Sequence, residues 1–321
     1  MRLLAAKEAT LRHEFGIEWK LTGVASRRIG WVAEAKGLDP IAALGHGFPK
    51  APEGTAPRNV REWLTAARAD VLFEASSLNR HDGQPATDHL KAALESGAHA
   101  ISANKGPIVH AYTELRQLAH AKNRKFFFES TVMDGAPIFS MFPHSLPAVE
   151  LRGFRGILNS TTNVVLTEME KGLTLDEAVK RAQEIGVAET DPSNDLDGWD
   201  AAVKVAVLVI VLMGVPIKLE DVERVGIRTV TPEQVAAARA AGMRYKLICR
   251  AARTSDGGVR ASVRPQQLPL SDTLAMREGT TSVLRFDMDV FGLTVVEHKP
   301  GVIATAYGLL ADFIRAVKES A

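Results

Sequence analysis

The sequence predicts an α/β protein: a doubly wound parallel sheet followed by a second domain of mixed α+β type. Three observations carry this. Short β-rich runs alternate with helical patterns through the first 130 residues, the rhythm of a parallel sheet covered by helices on both faces. Beyond that point helices come in succession and a group of strands follows. With 321 residues, 46% of them hydrophobic, the chain can fill two cores at roughly 100 to 200 residues per domain.

The elements follow in order. MRLLAAKEATLRHEF predicts an amphipathic helix over 2–15, and its charges are unlike a secretion signal. The strand WKLTGVAS comes next, then a helical stretch near 29–36, a Gly/Pro-rich loop through GHGFPKAPEG, and a helix over 58–68. Strand DVLFEAS, helix 86–96, strand AHAISAN, helix 107–122 and strand KFFFES complete the first part. In the second part VELRGFRGILNS predicts a strand, while VVLTEMEKG and TLDEAVKRAQEIG predict amphipathic helices ending in glycine. DAAVKVAVLVIVLMG predicts a buried helix; RYKLICRAAR, SVLRFDMDVFG and LTVVEHK predict strands, and ATAYGLLADFIRAVKES predicts the final helix.

Composition narrows the function. Lys and Arg number 39 against 38 Asp and Glu, so no overall field draws the chain to nucleic acid or an anionic membrane. The most apolar run, Val205 to Met213, is shorter than the roughly 20 residues that span a bilayer. Cys249 is the single cysteine and sits among apolar residues, which points to an inert buried thiol and a reducing cytoplasm.

In a doubly wound sheet, ligands bind at the carboxyl ends of the strands. The residues there are Ser26, Arg27 and Arg28, then Ser76 and Ser77, then Asn104 and Lys105. A glycine-rich turn between the first strand and first helix is expected in a nucleotide fold and is not found. GHGFPK at 45–50 has lysine in place of the third glycine and neither follows a strand nor opens a helix. The chain opens inside what should be the first helix, so a first strand and its turn are expected to be missing, with weak cofactor binding as the result.

The acidic run VAETDPSNDLDGWDAAVK, residues 187–204, carries five carboxylates and a lysine ahead of an apolar helix. It is not an EF-hand: with Gly198 at the glycine position, the first ligand would be Ser193 and the twelfth the cation Lys204. Helix capping explains part of it, with Asp197 as N-cap and Asp200 in the first turn. Lys204 lies four residues after Asp200, on the same face of a mostly buried helix. Burial and a neighbouring carboxylate would displace its proton affinity, as acid–base chemistry requires. Capping alone and catalysis both stay open on these residues.

At this point the chain resembles a known family, homoserine dehydrogenase in its short form without a regulatory domain. The resemblance rests on ISANKGP at 101–107, ESTVMDGAPI at 129–138, GILNSTTN at 156–163 and above all GVAETDPSNDLDGWDAAVK at 186–204. It implies a truncated Rossmann-type sheet and the interconversion of L-aspartate 4-semialdehyde and L-homoserine with NAD(P). It divides the chain into a nucleotide-binding domain (1–130), a substrate-binding and dimerisation domain (131–300) and a C-terminal helix, 301–321, packing back on the first. It implies that Lys204, Asp200 and Lys105 are catalytic, and that Glu189, Asp195 and Thr161 bind substrate. Ser26, Arg27, Arg28, Ser76, Ser77, Asn104 and Lys105 would hold the cofactor, and the arginines favour NADP over NAD by accommodating a 2′-phosphate. Glu129, Val132 and Asp134 would hold a sodium ion, and the protein would be a homodimer. Two departures, EHKPG at 297–301 in place of a Gly-rich loop and Val187 in place of an aromatic residue, keep another small aldehyde or hydroxy acid open as substrate. A catalytically silent homologue with a binding or regulatory role also stays open.

Overall fold

The computed structural model describes residues 1–40 and 56–319, and the chain divides into two compact units, Met1–Gly135 with Val302–Ala321, and Ala136–Gly301. The Gly/Pro-rich loop and the GHGFPK motif lie outside the described residues.

The first unit opens with α1 (Arg2–Ala6) and α2 (Glu8–Phe15), then β1 (Leu21–Ser26) and β2 (Gly30–Leu38). These strands form an antiparallel hairpin, with Ser26 opposite Gly30 and Val24 opposite Val32. The helix expected near 29–36 is therefore a strand. VAEAK has strong helix formers, but the stretch buries Val32 between exposed or half-buried neighbours and packs beneath Trp63, whose indole N–H donates to Val32 O at 2.7 Å. Tertiary burial outweighs propensity there.

Next come α3 (Val60–Ala67), capped by Asn59, β3 (Val71–Glu74), α4 (Ala86–Glu95), β4 (His99–Ser102), α5 (Gly106–Ala121) and β5 (Phe126–Phe127). The sheet β3-β4-β5 is parallel, and its strands run Val71 to Glu74 against His99 to Ser102. The hairpin is a separate sheet rather than part of this one. A cavity of about 1700 Å³ is lined by β1 and β3, with Val24, Val71 and Phe73 in its wall. The C-terminal helix, Val302–Lys318, belongs to this unit and buries Leu310, Phe313 and Ala316 with Leu11, Ile17 and Ile101.

The second unit contains α6 (Met141–Ser145), β6 (Leu151–Ile157), α7 (Ser160–Met169), α8 (Leu175–Glu184), α9 (Ser193–Leu196) and α10 (Trp199–Leu208). After a π-helical turn at Val209–Met213 follow β7 (Glu223–Arg224), α11 (Pro232–Ala240), β8 (Met243–Arg253), β9 (Val259–Pro269), β10 (Ser282–Met288) and β11 (Gly292–Glu297). Six strands make one sheet in the order β11-β10-β6-β8-β9-β7, antiparallel except for β7 and β9. Helices α7, α10 and α11 pack on β8. Threonine caps start α8 and α11, each answered by Glu177 or Gln234 three residues on. In α10 the only residues not buried are Trp199, Asp200 and Lys204, so the acid and the lysine mark one stripe of an otherwise apolar helix.

Candidate active site

The second unit gathers most of the acidic run around the start of α7. Lys204 Nζ donates to Leu158 O at 2.6 Å and stands 3.2 Å from Asp200 Oδ2. Their side chains are only 17% and 20% exposed, which removes the pair from bulk solvent while leaving an approach. Asn159 caps α7 through its Oδ1, accepting from Thr162 N at 2.9 Å, and its Nδ2 donates to Asp195 Oδ1 at 2.7 Å and Asp200 Oδ2 at 3.1 Å. One amide thus holds two carboxylates side by side. Burial first, and the Asp200 charge second, push the Asp195 carboxyl above its ordinary range. Thr161 is buried beside them, with its hydroxyl 3.4 Å from Val187 O. Glu189 lies in the loop after α8 with its side chain exposed, and Gln183 Nε2 holds its carbonyl at 3.0 Å.

Asp197 does not cap α10. Gly198 does, at φ +79°, because residue 197 is still the last turn of α9 and only a left-handed residue can redirect the chain there. Asp197 instead pairs with Arg228 at 2.5 Å, and its carbonyl accepts from Arg224, whose guanidinium lies 3.7 Å over the Trp199 ring. These contacts fasten the loop that leads Asp200 and Lys204 into the helix.

Sequence reasoning did not assign Asn159 or the Leu158 carbonyl. The asparagine ahead of STT has a capping signature; its second role, bridging two acids, appears only in the fold. Cys249 is buried, and desolvation pushes its thiol up to about 12, in keeping with an inert thiol.

In the first unit Ser26, Arg27 and Arg28 occupy the exposed hairpin turn after β1, and Ser76 and Ser77 follow β3, also exposed. Ser26, Arg27, Ser76 and Ser77 all border the same cavity. Asn104 is buried and serves as a clamp: its Nδ2 donates to Ser76 O at 3.1 Å and Ser77 O at 3.3 Å, and its Oδ1 accepts from Gly106 N at 2.9 Å. Lys105, half-buried, opens α5 at the carboxyl end of β4. Hydroxyls and guanidiniums around one cavity fit the sugar and phosphate groups of a dinucleotide, although no glycine-rich turn stands among the described residues. Glu129 is buried at 3% exposure, its N–H donating to Asp312 Oδ2 at 2.7 Å and its carboxylate 3.7 Å from Arg315 Nη1. Val132 is buried and Asp134 takes φ +37° in the following turn. Among the described residues no three His, Cys, Asp or Glu side chains converge as a metal site. Nor is any described helix long and apolar enough to cross a membrane.

An ammonium backed by a carboxylate suits an oxygen on which charge changes, and strand ends of this chemistry suit a nucleotide. Together they define the class, a nucleotide-dependent oxidoreductase. Comparison with known proteins sharpens it: the homoserine dehydrogenase family model matches residues 137–314, and that of the homoserine dehydrogenase NAD-binding domain matches residues 1–129. The NAD(+)-dependent homoserine dehydrogenase of Pseudomonas canavaninivorans is 35% identical over 98% of this chain and 91% of its own. Among solved structures, a homoserine dehydrogenase from Thiobacillus denitrificans is 27% identical at TM-score 0.84, covering 99% of this chain and 69% of its own. A hyperthermophilic archaeal homoserine dehydrogenase in complex with NADPH is 28% identical at TM-score 0.81, covering 99% of this chain and 94% of its own. The chain belongs to the homoserine dehydrogenase family.

Proposed function

We infer that the protein is an NAD(P)-dependent oxidoreductase interconverting L-aspartate 4-semialdehyde and L-homoserine. The observation that carries the residue assignment is Lys204 Nζ, shielded from solvent and held 3.2 Å from Asp200 Oδ2. When bound, the nicotinamide supplies or accepts the hydride. Lys204 then meets the reacting oxygen: in reduction its ammonium stabilises growing negative charge and yields a proton, and in oxidation its amine takes the alcohol proton. Asp200 orients that amine. Asp195, beside it, and Glu189 receive the substrate's amino group, with Thr161 supporting Asp195. Lys105 is assigned as a second active-site lysine on the family resemblance, and its place at a strand's carboxyl end supports this. Homoserine oxidation by this chain and by Lys204→Ala tests the assignment. The variant should lose about 10² to 10⁴ in kcat, the range for a positioned proton-transfer group. Unchanged turnover would remove Lys204 from the reaction.

The finer assignments are proposals of the same kind. Ser26, Ser76 and Ser77 are assigned to the cofactor, and Asn104 holds the loop of Ser76 and Ser77. The exposed Arg27 and Arg28 support NADP over NAD; Arg27→Glu with Arg28→Glu should reverse the ratio of the two cofactors' kcat/KM. Sodium at Glu129, Val132 and Asp134 is proposed from resemblance, with Arg315 already supplying positive charge near the carboxylate, and exchange of sodium for choline measures its effect on rate. A homodimer through the second unit is supported by the exposed Val290 and Phe291 between β10 and β11, and light scattering tests it. A net charge of +1 and a single buried cysteine support a cytoplasmic protein without nucleic-acid or membrane partners.

A further inference from the structure

Outside the acid cluster, the second unit holds an ammonium that the reaction does not use. Lys246, on β8, is 0% exposed. Its Nζ donates to Asn163 Oδ1 at 2.9 Å and to Arg277 O at 2.7 Å. Asn163, one turn into α7 and 1% exposed, passes the contact on, its Nδ2 donating to Gly279 O at 2.8 Å. Ser160 Oγ, in the first turn of α7, donates to Thr280 O at 3.1 Å. Three side chains therefore grip three carbonyls of the 277–280 segment, and two of those side chains stand on the helix whose cap, Asn159, spaces Asp195 from Asp200. Two residues before Lys246, Arg244 lies 3.6 Å from Glu170 at the far end of α7, so β8 holds this helix at two points along its length.

A buried ammonium is expensive, and an apolar side chain of similar volume is often no less stable. Here the two acceptors are neutral. Desolvation pulls the Lys246 amine down to about 8 against the opposing charges of Glu170 and Glu278, with Arg244 adding to the depression. Arg239, on α11, is the other charged group facing Glu170. What the lysine provides that an apolar residue cannot is direction: a donor reaching both the helix and the segment fixes where α7 sits along its axis, and with it the amide between the two acids.

We propose that Lys246, with Asn163 and Ser160, forms a strut between β8, α7 and the 277–280 segment that positions Asn159 and through its amide Asp195, whereas Asp200 is also held within its own helix by Lys204, making Lys246 a positioning residue for the substrate's amino group. The proposal rests on the assignment of Asp195 to the substrate's amino group. Lys246→Met removes both donors, and Ser160→Ala removes one tie at little risk to the fold. Steady-state oxidation of homoserine with each variant should show the KM for homoserine raised, about tenfold in Lys246→Met and about threefold in Ser160→Ala, since small misplacements of binding groups are costly. The KM for cofactor and the kcat should stay within twofold of the parent. A homoserine KM within twofold of the parent in both variants would overturn the strut, as would an equal rise for both substrates or a fall in kcat alone. If Lys246→Met does not fold, Ser160→Ala decides by the same criteria. Failure of the underlying assignment is separable, because it shows as an unaltered homoserine KM in Asp195→Asn, whatever Lys246 does.

Discussion

Asn159 does at one residue what the acidic run needs twice over. Its Oδ1 caps α7 and its Nδ2 lies between Asp195 and Asp200. The two half-buried carboxylates repel each other, and the amide's N–H groups offset part of that repulsion. Asn159→Ala should cost about 0.5 to 2 kcal/mol from the cap alone, measured by thermal melting, and weaken homoserine binding beyond that loss. The spacing of Asp200 and Lys204 was legible in the sequence because a helix fixes which residues share a face. Leu158 O was not, since a backbone acceptor leaves no trace in residue type.

At the scale of elements, the turn at Gly198 aims α10. Gly198→Ala forces a side chain to φ +79° and should destabilise the second unit by about 1 to 3 kcal/mol, read as a shift in denaturant midpoint. The C-terminal helix is tied to the turn after β5 in another way: Gly308 packs so closely that a Cβ would overlap Ser130 Oγ and Asp134 O, and Asp312 accepts from Glu129 N. Burial pushes the Asp312 carboxyl up to about 7. A raised acid binds its proton in the folded chain while the unfolded chain has lost it. Stability of the first unit should therefore fall as pH rises from about 4 through 7, and Asp312→Asn should flatten that slope in melts across the window. Most of the longer helices and most strands could be read from period and caps, but α6, α9 and α11 were not expected. β2 could not, because AEAK favours a helix until pairing with β1 and the cover of Trp63 decide otherwise. β9 also escaped, since Pro265 and Pro269 interrupt a run whose strand character comes from its long ladder with β8.

For the whole molecule, the two units differ in how their strands are secured. β8 pairs with β9 over eleven residues and with β6 on its other side, whereas β1 and β3 both border the 1700 Å³ cavity. Amides of β1 and β3 should exchange with deuterium faster than those of β8, and added NADP should slow the first group while leaving the second unchanged. Equal rates in the two groups would mean that the cavity closes in solution. The change of rhythm near residue 130 falls close to the boundary between the two compact units at 135–136, but that β1 and β3 each pair on one side only among the described residues needed coordinates.

Cys249 lies on β8 opposite Gly156, two residues before the carbonyl that Lys204 holds, and it is the one sulfhydryl in the chain. Its side chain is fully buried on one face of the sheet, so a disulfide dye can reach it only when the cover of that face opens. The colour released under native conditions would therefore time the opening of the second unit beneath the candidate site, without any engineered label.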